Sequence, residues 1–136
     1  MKIKKAAVLG SGVMGSGIAA HLANAGIQVE LLDMTVDMAK GNIKKALKAK
    51  PAPFMLSSRQ LLIRAGSFDE HMGRLADCQW VIEVVTENLA IKQSLYGKVL
   101  PHLNASALLT SNTSGIPLAS LTDGFPADVK KRFFVT

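Results

Sequence analysis

Val8-Leu9-Gly10-Ser11-Gly12-Val13-Met14-Gly15 is the stretch whose reading decides the fold. The apolar run Ala6–Leu9 breaks at a glycine, turns, and continues into Ile18-Ala19-Ala20-His21-Leu22-Ala23, which reads as helix. Gly10, Gly12 and Gly15 form G-x-G-x-x-G. The first glycine permits a tight turn, the second lets a diphosphate approach bare backbone, and the third lets helix pack against strand. Phosphate oxygens would rest on the unpaired N–H groups and positive dipole end of that helix, so Gly10, Ser11, Gly12, Val13, Met14 and Gly15 are the candidate contacts. A second apolar run, Gln28–Leu32, ends in Asp33. A carboxylate there accepts bonds from a ribose hydroxyl and repels a 2′-phosphate, which selects NAD over NADP. A glycine-rich turn of purely structural meaning is the alternative. The placement between strand and helix, with an acid about 20 residues downstream, argues against it.

Composition narrows the class. The chain has 136 residues, 49% of them hydrophobic, enough for one globular domain with a sizeable core. Its single cysteine, Cys78, excludes an internal disulfide framework and suits a reducing compartment; with no base beside it, it reads as a packing residue. Lys2, Lys4 and Lys5 before an apolar stretch mimic a signal peptide, but glycines and serines interrupt the run and the fingerprint accounts for it better. No stretch is long enough to span a membrane. A cytoplasmic protein is expected. The net charge of +6 raises nucleic acid as a partner, yet basic residues are dispersed and aromatics are only 5%, so no stacking platform exists. Lys40, Lys44 and Lys48 share one face of a helix, either as a solvated face or as a landing strip for an anionic ligand. No metal is expected.

In order, Lys2–Leu9 reads as the first strand, Gly12–Asn24 as the first helix and Gln28–Leu32 as the second strand. Thr35 or Asp37 caps a helix running to about Lys48, which Pro51-Ala52-Pro53 ends. Met55, Leu61, Leu62 and Ile63 suggest a short packed helix within Phe54–Arg64. Ala65–Phe68 is a short third strand, and Asp69–Ala76 one or two helical turns. Trp80–Val85 is β-branched and apolar, as a strand covered on both faces should be. Ile91, Leu95 and Val99 give the next helix an inward stripe ending near Pro101. Ala107–Thr110 is the fifth strand, Ile116–Leu121 a helical turn, residues 123–126 a loop, and Arg132–Val135 the start of a sixth strand. Strands alternating with helices predict an α/β Rossmann-type fold: a doubly wound parallel sheet in three αβα layers, one domain over residues 1–136. Ligands bind such sheets beyond the carboxyl ends of the strands, where strand order reverses. Gly10, Asp33, Thr86-Glu87-Asn88 and Ser111–Ser114 all fall on that edge. The adenosine half of a dinucleotide should lie over strands one and two, the nicotinamide near strands four and five.

Gly10–Gly15 with Asp33, then Val81-Ile82-Glu83-Val84-Val85-Thr86-Glu87-Asn88-Leu89 followed by Lys92, then Ser111-Asn112-Thr113-Ser114, resembles the 3-hydroxyacyl-CoA dehydrogenase family from about residue 2 to the end of the chain. Around 50–67 the chain looks shortened relative to that family. The resemblance implies NAD-dependent oxidation of a (3S)-3-hydroxyacyl-CoA to the 3-oxoacyl-CoA, as in fatty-acid β-oxidation. It also implies that Glu87 and Lys92 touch the ribose side of the cofactor near the nicotinamide, and that Ser114, between cofactor and substrate, donates to the C3 oxygen. Such a donor steadies the charge that develops when hydride and proton leave. Helix capping is the plain alternative for Glu87 and for Ser114, and a solvated helix position for Lys92. Glu83, within its strand, is expected to be buried and hydrogen-bonded or to face the site, with the structural role favoured over a chemical one. Lys44 and Lys48 are candidates for the CoA phosphates.

In the family the general base is a histidine shortly after a strand like Arg132–Thr136, and a helical domain closes the cleft and mediates dimerisation. This chain reaches Thr136 without them, and His21, His71 and His102 are poorly placed to substitute. The expectation is a cofactor-binding domain that binds NAD and turns over little substrate alone. A dehydrogenase of a non-CoA hydroxy acid and a non-catalytic dinucleotide sensor are the competing classes.

Overall fold

A computed structural model describes residues 2–48 and 57–136. Six parallel strands form one sheet in the order β3-β2-β1-β4-β5-β6. They are β1 (Lys5–Leu9), β2 (Gln28–Asp33), β3 (Ile63–Ser67), β4 (Trp80–Glu83), β5 (Leu108–Ser111) and β6 (Phe133–Val135). The helices are α1 (Val13–Asn24), α2 (Val36–Lys48), α3 (Phe68–His71), α4 (Leu89–Val99), α5 (Leu118–Leu121) and α6 (Ala127–Lys130). The chain winds outward from β1 through β2 to β3, then returns across β1 to begin the other half at β4. That reversal lies between β1 and β4.

Helices cover both faces, which is why β1 is apolar without alternation: Ala6, Ala7, Val8 and Leu9 are all fully buried. Ala7 and Leu9 pack under α3 and α4 with Leu75, Leu95 and Val99. Val8 faces the other way, into Ala19, Val29, Leu31 and Ile82 beneath α1 and α2. Cys78 sits in the first cluster, as expected of a packing residue, and burial pushes its thiol up to about 11. Tyr96, Phe125 and Phe133 meet edge-to-face with centroids 5.3–5.9 Å apart, joining α4 to the last strand. Among the described residues no helix is long and apolar enough to cross a membrane.

Several boundaries differ from the sequence reading. β1 starts at Lys5 rather than Lys2, and β3 runs Ile63–Ser67 because Ser67 turns to cap α3, accepting from the Glu70 amide at 3.1 Å. β4 ends at Glu83, not Val85. Val84 N still bonds Leu9 O (2.9 Å), but the Gly10 turn packs against the Val84 carbonyl and pairing stops there. α6 lies between the loop and the sixth strand, over residues for which no element was read. Thr35, not Asp37, caps α2, accepting from the Met38 amide at 3.1 Å. Of the helix sought within 54–64, Leu61 and Leu62 belong to a 3-10 turn (Ser57–Leu62) and Ile63 to β3; Met55, like the proline stop at 51–53, lies outside the described residues.

The inward stripe of α4 is also different. Leu95 and Val99 are buried, but Ile91 is 47% exposed, and Lys92 and Tyr96 take the inward positions instead. Ile91 is turned toward the ligand edge of the sheet.

Candidate functional site

The glycine turn is built by contact. Gly10 has φ +109°, and a Cβ there would lie 2.9 Å from Val84 O. A Cβ on Gly15 would lie 1.8 Å from Gly10 O, so helix and turn meet backbone to backbone. Gly12 has nothing within 4 Å of its missing Cβ. That open face precedes the start of α1, which has Gly12 at its N-cap, no side-chain cap and no acid in its first turn. Its orphan N–H groups are thus left facing outward, with Val13 (96%) and Met14 (61%) exposed beside them. Ser11 behaves differently from its neighbours. It is fully buried, and donates both its amide (2.7 Å) and its hydroxyl (2.5 Å) to Asp33 Oδ2. Asn42 on α2, which the sequence reading passed over, donates to the Ser11 hydroxyl at 2.8 Å and so sets its direction. Asp33 Oδ1 accepts from the Met34 amide at 2.7 Å. The carboxylate is held at the end of β2, next to the glycine turn. Beside it, Met34, Phe68, Val85, Ala90, Ile91 and Leu95 line an apolar slot of about 360 Å³ between α4 and the strand ends. This slot explains why Ile91 leaves the core.

Across the reversal, the β4 and β5 ends converge on Glu87. Thr113 donates its hydroxyl to Glu87 Oε1, and Ser114 donates its amide to Oε2 at 3.0 Å and its hydroxyl at 3.4 Å. These donors, the Thr113 hydroxyl first, hold the Glu87 carboxyl below the usual carboxylate range. The capping alternatives fail for both residues: Asn88 caps α4, accepting from the Ile91 amide at 3.1 Å, and α5 begins after Pro117 with no bond from Ser114. Lys92 is not solvated. It is fully buried, 2.6 Å from Glu83 Oε2 and 3.8 Å from Glu87 Oε1. Glu83, buried as expected but at the end of its strand rather than within it, accepts also from Tyr96 (2.5 Å), Ser111 (2.6 Å) and the Val85 amide (2.9 Å). Burial, with Glu83 beside it, raises the Tyr96 phenol above its ordinary range. The sequence reading placed Ser111 and Thr113 on the ligand edge without a role for either, and passed over Tyr96, which lies in mid-helix on α4.

Because its folded value is lowered, the contribution of Glu87 to stability is complete at neutral pH and lost only as pH falls through that lowered value. A carboxyl-carbon NMR titration should place Glu87 below the ordinary glutamate value of about 4.3. Thr113→Val should move it back upward. An unshifted midpoint in the parent would remove the Thr113 contact.

The other candidates lie apart. Lys44, with Lys40, Arg64, His71 and Arg74, lines a groove of about 680 Å³ beyond the open edge of β3, and Lys48 is exposed farther along α2. Four strand spacings, about 19 Å, separate β3 from β5, so these lysines do not meet Ser114. Arg64 (2.6 Å), Arg74 (3.4 Å) and Lys5 (3.7 Å) share the buried carboxylate of Glu30, a charge in mid-strand that the sequence reading did not single out. The histidines are elsewhere too. His21 is exposed at the end of α1, His102 precedes β5 on the opposite edge, and His71 Nδ1 accepts from the Ser67 amide at the β3 end.

Residues 5–136 match the family model described as 3-hydroxyacyl-CoA dehydrogenase, NAD binding domain. A Deinococcus radiodurans protein named a probable 3-hydroxyacyl-CoA dehydrogenase is 44% identical over 98% of this chain and 40% of its own length. One of the same name from Bacillus subtilis is 40% identical over 98% of this chain and 20% of its own. The chain therefore spans less than half the length of these relatives. Among solved structures, 3-hydroxybutyryl-CoA dehydrogenase from Escherichia coli superposes with a TM-score of 0.82 at 27% identity, covering 98% of this chain and 29% of that one.

Proposed function

The chain belongs to the family of 3-hydroxyacyl-CoA dehydrogenase NAD-binding domains, and from that premise we propose that it is the cofactor half of an enzyme oxidising a (3S)-3-hydroxyacyl-CoA to the 3-oxoacyl-CoA, the oxidative step of fatty-acid β-oxidation. The single observation that carries the cofactor reading is the pairing of an open Gly12 face at an uncapped helix start with the Ser11-held carboxylate of Asp33. Helix-start amides receive the diphosphate, Asp33 accepts from an unphosphorylated ribose, and the apolar slot behind Met34 takes the adenine ring. NAD, when bound, supplies the hydride acceptor. The chain's own part at the reacting end is to hold Ser114 through Glu87, so that its hydroxyl meets the substrate oxygen as charge develops there.

The base in this proposal is a histidine following Thr136. β6 is parallel to its neighbours, and Thr136 N donates to Ser111 O at 2.9 Å, so the next residues would leave at the edge that carries Ser114. A helical companion domain that closes the cleft and carries the dimer contact belongs to the same proposal, as do the CoA contacts of Lys44 and Lys48 and a reducing, cytoplasmic setting. Titration calorimetry should find NADH bound by the 136-residue chain, and the same chain should reduce little or no acetoacetyl-CoA. Asp33→Ala should weaken NADH about tenfold to a hundredfold, the worth of bonds to a charged group, and narrow the gap to NADPH. Tighter NADPH than NADH binding by the parent would refute the assignment of Asp33, and appreciable turnover by the chain would refute the proposal that the base lies outside these residues.

A further inference from the structure

The most deeply buried charges among the described residues are Glu83, which has no part in the chemistry above, and Lys92, which the family resemblance set against the cofactor's ribose. Glu83 and Lys92 are both fully buried, at the point where β4 passes into α4. We propose that Glu83 is a positioning residue for the nicotinamide half of the dinucleotide, fixing Glu87 through Lys92 and the Ser111–Ser114 loop through Ser111. The inference rests on the dinucleotide reading and deepens it, since that reading gives Glu83 no task.

The geometry is that of a junction. An ionised carboxylate offers about four acceptor positions, and Glu83 has four donors. Its Oε2 takes Lys92 Nζ and the Val85 amide, its Oε1 the Tyr96 and Ser111 hydroxyls. These donors come from α4, from the loop after β4 and from the end of β5, the three segments that surround Glu87. Glu83 also holds the loop by its backbone, its carbonyl accepting from the Asn112 amide at 2.9 Å. The Lys92 ammonium, fixed by Glu83, faces Glu87 Oε1 at 3.8 Å, and Glu87 in turn receives Thr113 and Ser114. Apolar residues of the same volume commonly hold a core together as well as a buried ion pair does. What they lack is direction. A site that must aim a hydroxyl and a carboxylate at fixed points gains from a rigid polar support.

The test separates the two halves of the ligand. ADP, which lacks the second ribose as well as the nicotinamide, needs only the adenosine side, at β1 and β2, whereas NADH also needs the side that Glu83 supports. Binding of each would be measured for the parent chain, Glu83→Gln, Lys92→Met, and the double variant Glu83→Met/Lys92→Met, with circular dichroism confirming the fold. The double variant leaves no buried charge unpaired and decides the matter if Glu83→Gln does not fold. Expected for Glu83→Gln and the double variant is unchanged ADP affinity with NADH weakened about tenfold, the worth of a lost bond to a charged group. Three results overturn the proposal: NADH affinity retained in a folded variant that lacks Glu83, both ligands weakening together, or Lys92→Met weakening NADH while Glu83→Gln does not. A parent chain that binds neither ligand overturns the dinucleotide reading itself, a distinct failure.

Discussion

Gly15→Ala should abolish measurable NADH binding and lower the melting temperature by about 10 °C, the equivalent of about 3 kcal/mol for a domain of this size. The added methyl would sit 1.8 Å from Gly10 O, and both partners are backbone, so no rotamer change relieves the overlap. Either α1 moves away from β1 or the turn opens, and in both cases the helix-start amides no longer converge. Gly12→Ala is the informative partner. With nothing within 4 Å of the new methyl, it should melt like the parent yet bind NADH poorly, because the methyl occupies the face a diphosphate must reach. A Gly15→Ala protein that melts and binds like the parent would mean that helix and turn do not pack in this way.

The second large effect is expected at Glu83→Ala. Removing one partner of a buried ion pair costs about 3–5 kcal/mol, a large part of the 5–15 kcal/mol that stabilises a typical domain. Here the loss strands Lys92 with only Val85 O at 3.4 Å and Glu87 at 3.8 Å, and also removes the acceptor of Tyr96 and Ser111. Urea denaturation should show the midpoint falling with an unchanged slope. Exchanging both charges for methionine should return the part lost to the stranded ammonium, but not the part that falls on the Tyr96 and Ser111 hydroxyls. A Glu83→Ala midpoint equal to the parent's would contradict the buried pair.

What the sequence disclosed was what local spacing determines. Gly10, Gly12, Gly15 and Asp33 announce a strand–turn–helix–strand unit because each glycine answers a constraint within a few residues of itself, and the alternation of β-branched runs with helical stripes was enough to predict a wound parallel sheet. The junction at Glu83 was only half legible. Burial could be predicted from its place in an apolar run, but its side-chain partners lie 9, 13 and 28 residues away, and nothing local specifies them. For Lys92 a solvated position stood as the alternative to a ribose contact because lysine is almost never fully buried unless paired, and its pairing was the hidden fact. Ile91 failed for a related reason. Spacing of four marks a helix face but does not say whether that face meets the core or an empty slot. Asn42 was missed because its effect passes through the Ser11 hydroxyl, a rotor with no sequence signature.

The central place of β1 has a consequence for biosynthesis. Every segment proposed to grip the adenosine side, except Val85 and the α4 wall of its slot, is complete once residue 68 has been made, since β1, β2, β3 and Phe68 already pair and pack with one another. The opposite flank of β1 stays bare until β4 is translated, and Glu83 waits for Ser111 longer still. A ribosome-bound nascent chain should therefore offer a half-covered apolar strand from the end of β3 at Ser67 to the end of β4 at Glu83, the interval in which a chaperone would find it.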